Sequence, residues 1–193
     1  MFTNKKFGDA CNKISVEECL FGEELSIFVF TDGENYQILN SAQDHKRIFD
    51  NDEGPNTGGM GAYCPAPLFE KALREKVEKR IIEPTILGMQ KEGHPYKGFL
   101  YVGIMVSEGN PYVIEYNARL GDPESQVLLP MLENGVFPII DSVINNTVDT
   151  VEVPIKPGFA VTVVLAASGY PESYEKNYKI TGLADASLVF HSG

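Results

Sequence analysis

The chain has 193 residues, 43% hydrophobic and 22% charged, the make-up of a soluble globular protein with room for one large or two small domains. Its formal net charge of −11 withholds the broad basic field that nucleic-acid binding needs, so an anionic ligand must be held locally by a few basic side chains, a cation or helix ends. No apolar run approaches membrane-spanning length. The cysteines (Cys11, Cys19, Cys64), odd in number and without CxxC spacing, fit a reducing, cytoplasmic setting better than a disulfide framework.

In chain order, Phe2, Lys5, Lys6 and Phe7 read as the end of a helix. Ile14 to Leu20 is a strand candidate that would make Cys19 a small core residue. Leu25 to Thr31 is a second strand and Tyr36 to Ala42 a third, joined by a turn at Asp32-Gly33, so the region reads as an antiparallel meander. Asp50 to Gly61 reads as a long loop, because four glycines and one proline in twelve residues break regular structure. Amides freed by Gly58, Gly59 and Gly61 could cradle an oxyanion, and a plain flexible excursion is equally open. No Lys-Ser/Thr follows, which excludes a P-loop. Residues 67–92 carry a helical period, with Phe69, Leu73, Val77 and Ile81 four apart and Pro84 as a kink or restart. Phe99 to Val106 and Tyr112 to Tyr116 are strands around a turn at Glu108-Gly109-Asn110. Residues 123–133 and 137–146 read as two helices. Pro154 and Pro157 mark a link, and Phe159 to Ala167 is an apolar strand beyond it. These features place a domain boundary near residue 150.

The most informative stretch runs from Val113 to Glu124. Val113 and Ile114 read as strand, so Glu115 and Asn117 point to one face. Two hard oxygen donors on one face suit Mg²⁺, which takes one or two protein ligands and leaves the rest to phosphate oxygens and water. Arg119 has the same parity if the strand continues, and a guanidinium there can meet a phosphate bidentately. Taken alone, the spacing favours an edge strand with a solvated Glu and Asn, because such triplets are common by chance. The Gly-Asp-Pro-Glu that follows favours a site: Gly121 and Pro123 break the strand, Asp122 falls near a helix N-cap and Glu124 in its first turn. Ligands at a strand end beside a helix start suit phosphate chemistry.

Five segments carry a family resemblance: Glu17-Glu18-Cys19-Leu20-Phe21-Gly22-Glu23-Glu24, Ala42-Gln43-Asp44-His45-Lys46-Arg47, Gly54-Pro55-Asn56-Thr57-Gly58-Gly59-Met60-Gly61-Ala62-Tyr63, Glu115 through Glu124, and Val164-Leu165-Ala166-Ala167-Ser168-Gly169-Tyr170-Pro171. In this order they resemble the phosphoribosylamine–glycine ligases (glycinamide ribonucleotide synthetases), ATP-grasp enzymes of purine biosynthesis, over nearly the whole chain. The resemblance implies an α+β fold: the second, ligand-bearing part of an ATP-grasp domain over residues 1–150, then the start of a small β-rich C-terminal domain over 151–193. It also implies that the chain is the middle-to-late portion of a longer enzyme whose N-terminal part is missing here. The reaction implied is phosphorylation of the glycine carboxylate by ATP and attack on the acyl phosphate by phosphoribosylamine.

By the same resemblance, Mg²⁺ or Mn²⁺ would sit on Glu115 and Asn117, with Arg119 stabilising the moving phosphoryl group. The adenine would lie along Glu17, Glu18, Cys19 and Leu20, with Glu24 on the ribose hydroxyls. Lys46 and Arg47 would bind phosphate, and Asp44 and Asp122 an ammonium group. Asn56, Thr57, Gly58, Gly59, Met60 and Gly61 would wrap glycine or the acyl phosphate. The second metal-binding carboxylate that many ATP-grasp enzymes carry has no counterpart in Leu100-Tyr101-Val102-Gly103-Ile104. Small-molecule partners are expected (ATP, glycine, phosphoribosylamine), and neither nucleic acid nor membrane. The alternatives are a non-catalytic nucleotide- or phosphate-binding module, or another purine-pathway ATP-grasp ligase. Half an ATP clamp cannot exclude water from both sides of a triphosphate, so the chain alone is expected to be inactive.

Overall fold

A computed structural model gives the fold of residues 8–185 and 188–192. The helix end expected at Phe2, Lys5, Lys6 and Phe7 lies outside the described residues. The centre is a six-stranded antiparallel sheet. Its strands are β1 (Glu23–Thr31), β2 (Tyr36–Asp44), β5 (Gly61–Cys64), β6 (Gly98–Ser107), β7 (Asn110–Asn117) and β8 (Ala160–Val163), in the spatial order β7-β6-β1-β2-β5-β8. A separate two-stranded ribbon joins β3 (Arg47–Phe49) to β4 (Glu53–Asn56).

Strand β1 is buried along nearly its whole length because both sheet faces are covered. Its odd residues, Leu25, Ile27 and Val29, pack with Leu73, Val77, Ile81, Ile82 and Ile86 of a helical rod over Lys71–Lys91. Its even residues, Phe28 and Phe30, pack with Val127, Leu128, Met131, Leu132 and Ile139 on the opposite side. The four-residue period read from the sequence is thus the core stripe of the rod. The rod comprises α1 (Lys71–Val77), a π-helical turn (Glu78–Ile82) and α2 (Glu83–Lys91). Pro84 cannot donate to the ladder, and the widened turn just before it absorbs that defect without breaking the rod. On the other face, the helix expected over 123–133 is a single turn α3 (Ser125–Leu128) followed by a 3₁₀ turn (Leu129–Met131). The last helix is α4 (Phe137–Asn145), closed by Asn146 at φ 57°.

Two sequence expectations are corrected. Residues 14–20 form no strand: Val16 is 88% exposed, and Cys19 is exposed, not a core residue. Both edges of β1 are already taken by β2 and β6, so the segment cannot pair with the strand that follows it. Of the expected meander only the β1–β2 hairpin forms, and β6 takes the other side of β1. The loop expected over 50–61 contains β4, which pairs with β3 through a tight turn with Asn51 and Asp52 at positive φ. Pro55 is tolerated because an isolated ribbon has free edges. Beyond residue 150, β8 pairs with β5, and Ile155 bridges Leu132.

Candidate active site

The site lies at one end of the sheet, on the face that carries Phe28 and Phe30. In cross-strand register Ser26 lies opposite Gly103, and Gly103 opposite Glu115; Phe28 lies opposite Tyr101, and Tyr101 opposite Asn117. Residues opposite one another share a face, so β1, β6 and β7 present Ser26, Tyr101, Glu115 and Asn117 together. Glu115 and Asn117 lie side by side: Asn117 Nδ2 donates to Glu115 Oε1 at 3.2 Å. Gly103 makes the row possible. A Cβ there would lie 3.1 Å from Tyr101 Cε1 and 3.2 Å from Glu115 Cγ, so the missing side chain leaves room for both neighbours.

Strand β7 stops at Asn117, so the parity argument does not reach Arg119. That residue sits in a bend, exposed, with Nη1 donating to the Leu120 carbonyl at 2.8 Å. Among the described residues no bond links it to Glu115 or Asn117. Asp122 caps no helix. It is exposed, and its Oδ1 accepts from Gln126 Nε2 at 2.6 Å. The residue at the helix start is Glu124.

The second signature segment converges on the same place. Lys46 Nζ lies 2.7 Å from Glu24 Oε2 and 3.9 Å from Asp44 Oδ2. A small pocket is lined by Glu24, Asp44, Lys46, Tyr101 and Glu115, drawn from both strand ends. The Asp44 side chain is only 6% exposed. Burial pushes its carboxyl above the usual range, Lys46 opposes that shift, and the Glu24 charge adds to it. For Lys46, burial works against the charged form, but the Glu24 hydrogen bond and the Asp44 charge outweigh it and hold the ammonium above its ordinary range. Lys46 therefore stays protonated, and Glu24 is engaged by it rather than free.

Three buried residues to which the sequence assigns no site role complete the site: Ser26, Tyr101 and Glu124. Ser26 Oγ donates to Glu124 Oε1 at 3.0 Å and lies 3.0 Å from the Tyr101 hydroxyl. Burial raises the Glu124 carboxyl, and it pushes the Tyr101 hydroxyl up to about 12. The partners lie 75 and 98 residues apart, so no local pattern could have joined them.

The glycine-rich segment is not an open cradle. Thr57 N donates to the Lys46 carbonyl at 2.7 Å, Gly58 N to the Tyr170 hydroxyl at 3.1 Å, Gly59 N to Thr57 Oγ1 at 3.0 Å and Met60 N to the His45 carbonyl at 2.7 Å. Gly61 is paired within β5 opposite Val163. These amides are used to dock the segment, which corrects the expectation that glycines freed them for an oxyanion. The docking has a function of its own, since it seats the turn beside Lys46 and packs Gly59 against Pro123.

A wider cleft of about 560 Å³ opens between Leu20–Glu24, Gln43–Arg47, Asp52, Asn56 and Met105. Its size falls in the range of small-molecule sites. Leu20 and Glu24 line it, whereas Glu17, Glu18 and Cys19 do not; they stay exposed, outside any strand. Arg47 faces the cleft and donates to the Gly54 carbonyl. Gln43 Nε2 donates to the Glu24 carbonyl at 3.0 Å and ties the cleft's two walls together.

Comparison with known proteins bears on the same segments. A sequence model described as "Phosphoribosylglycinamide synthetase, ATP-grasp (A) domain" matches residues 1–125. A phosphoribosylamine–glycine ligase from Chlorobaculum tepidum is 48% identical over 197 aligned residues, covering 100% of this chain and 46% of the relative. The chain thus spans about half the length of the curated relatives it matches. A crystal structure of phosphoribosylamine–glycine ligase from Thermotoga maritima superposes with a TM-score of 0.71 at 42% identity, over 82% of this chain and 40% of that one. N5-carboxyaminoimidazole ribonucleotide synthetase from Thermus thermophilus shares the fold alone: TM-score 0.52 and 15% identity, over 76% of this chain and 36% of that one. The chain belongs to the phosphoribosylglycinamide synthetase ATP-grasp family.

Proposed function

We propose that the chain forms the metal- and phosphoryl-binding wall of an ATP-dependent carbon–nitrogen ligase that joins glycine to 5-phosphoribosylamine through a glycyl phosphate. It would act together with the remainder of a synthetase of the relatives' length. One observation carries this reading. The Glu115–Asn117 pair sits beside Lys46, Glu24 and Asp44 in a chain 48% identical, along its whole length, to a ligase of that name. The 15% identity to the other purine-pathway synthetase gives the alternative no comparable support.

The donor set fits a hard divalent cation. The bond from Asn117 Nδ2 to Glu115 Oε1 leaves Glu115 Oε2 and Asn117 Oδ1 available, two oxygens for an ion that completes its shell with phosphate and water. Mg²⁺ or Mn²⁺ bound there would neutralise charge on the γ-phosphoryl group during transfer. The rest falls to this chain's own groups. Lys46 supplies a fixed positive charge, and the nucleotide lies along the Leu20–Glu24 wall of the cleft. Arg119, freed from the Leu120 carbonyl, turns to the phosphates. Asp44 and Asp122 receive ammonium groups, and the docked Asn56–Gly61 segment shapes the acceptor side. Most of the catalysis is positioning.

The test is glycine-dependent ADP release in a full-length synthetase carrying this segment. Turnover with glycine is expected to fall by roughly a hundredfold or more in Glu115→Ala, as for loss of a transition-state electrostatic contact. The isolated chain is expected to show none. Turnover that ignores glycine, or that survives Glu115→Ala, would sink the reading.

A further inference from the structure

Glu124 is 3% exposed, and nothing in the reaction above uses it. A carboxylate is buried at a cost unless its oxygens are bonded, so its partners indicate its task. One oxygen accepts from Ser26. The other lies where a Cβ on Gly121 would be, 2.3 Å from that point, so the carboxylate fills the space over the turn that carries Arg119 and Asp122. Ser26 has one proton. With that proton given to Glu124, the Ser26 oxygen accepts from Tyr101, and the phenolic hydrogen is committed to Ser26. Tyr101 then shows the pocket only lone pairs. Of the described side chains lining that pocket, Lys46 is the one remaining donor.

We propose that Glu124 is a positioning residue for the ligase reaction. Acting through Ser26, it fixes the Tyr101 hydroxyl as a hydrogen-bond acceptor toward Lys46, and it seats the Arg119–Asp122 turn on the sheet. An acceptor in that corner receives an ammonium or a metal-bound water and repels a bare phosphate oxygen, which steers the triphosphate toward the Lys46 ammonium. The proposal rests on the ligase reading, and two measurements keep the two apart.

The first uses this chain labelled with [ζ-¹³C]tyrosine. The Tyr101 resonance, assigned by its loss in Tyr101→Phe, is expected to move in both Ser26→Ala and Glu124→Gln. A resonance unmoved in Glu124→Gln overturns the proposal whatever the enzyme does. The second uses the full-length synthetase. A wild type without glycine-dependent ADP release would count against the ligase reading, and the resonance alone would then decide this proposal. In an active enzyme, Ser26→Ala and Glu124→Gln are each expected to lower kcat by about tenfold or more with KM for ATP within about threefold, as for a misplaced group outside substrate contact. The double variant should be no worse than the poorer single one, because the groups act as a unit. Losses that multiply, or wild-type kcat in Glu124→Gln, overturn the proposal.

Discussion

Gly59 is where two of the signature segments touch, and Gly59→Ala measures what that contact is worth. The residue is buried at φ +125°, and a Cβ on it would lie 2.3 Å from Pro123 Cδ and 3.1 Å from Cγ. The pyrrolidine ring is rigid and Pro123 is itself buried, so the obstacle cannot swing aside. Two costs combine: about 1–3 kcal/mol for a side chain held at a glycine-only φ, and about 1–3 kcal/mol for overpacking. Taking roughly 3 kcal/mol and a urea slope of about 2 kcal/mol per molar, the unfolding midpoint should drop by about 1.5 M. Gly109→Ala is the control. It has φ +71° with nothing within 4 Å of the added Cβ, so only the left-handed penalty of about 1–2 kcal/mol applies. Urea unfolding of both variants, followed by circular dichroism at several wavelengths, reads the difference directly. If Gly59→Ala is no less stable than Gly109→Ala, the two segments are not docked as described, and the account of the glycine-rich turn is wrong.

Three further outcomes are expected. Glu115 is exposed and, among the described residues, bonded only to Asn117, so Glu115→Ala should leave the unfolding free energy of the chain within about 0.5 kcal/mol of wild type while abolishing metal-dependent activity of the full-length enzyme; a large stability loss would mean the residue is structural. Glu124 and Asp44 are both held above the ordinary carboxylate range, chiefly by burial. Such groups bind protons more tightly folded than unfolded, so their favourable contribution is full below the unfolded pKa of about 4 and fades as pH climbs through the raised folded value. Midpoints should therefore decline with rising pH from about 4, and Glu124→Gln should flatten the decline; a steeper decline in that variant contradicts the assignment. Tyr112, Val113, Ile114 and Tyr116 on edge strand β7 are exposed, and Val161 and Val163 on the opposite edge strand β8 likewise. The isolated chain should accordingly self-associate in sedimentation, and a monomer at all concentrations would count against that.

Local periodicity accounts for what the sequence reading gets right. Leu25–Thr31, Tyr36–Ala42, Phe99–Val106 and Tyr112–Tyr116 are strands because each carries β-branched and aromatic residues between turn signals, and Glu115 and Asn117 share a face because a strand alternates. The failures are of another kind. Ile14–Leu20 has strand composition, but the strand that follows it in the chain, β1, is already paired on both sides, and that pairing is a property of the whole sheet. The glycines at 58–61 read as liberating amides, yet Gly58 N donates to the Tyr170 hydroxyl, more than a hundred residues away, Gly59 N to the Thr57 hydroxyl, and the intervening Met60 N to the His45 carbonyl. Glu124 reads as a first-turn helix residue; its burial against Ser26 and Tyr101 depends on β1 and β6 being neighbours.

Charge supplies the sharpest constraint on how the site must work. The pocket at the ends of β1 and β7 sets three carboxylates, Glu24, Asp44 and Glu115, against one ammonium, Lys46, in a chain of net charge −11. Like charges about 4 Å apart repel by roughly 4 kcal/mol at an effective dielectric near 20, so a bare triphosphate should be rejected there. Lys46 cannot reverse the sign alone, because Glu24 at 2.7 Å already claims it. Nucleotide affinity of the full-length synthetase should then be conditional on divalent cation, not merely strengthened by it. Calorimetric titration with ATP should show no binding in excess EDTA and restored binding on adding Mg²⁺, with Glu115→Ala weakening the Mg²⁺-dependent part. If Lys46 and Arg47 instead hold the phosphates unaided, EDTA leaves the affinity intact and added salt erodes it. That second pattern would refute the placement of the cation on Glu115 and Asn117.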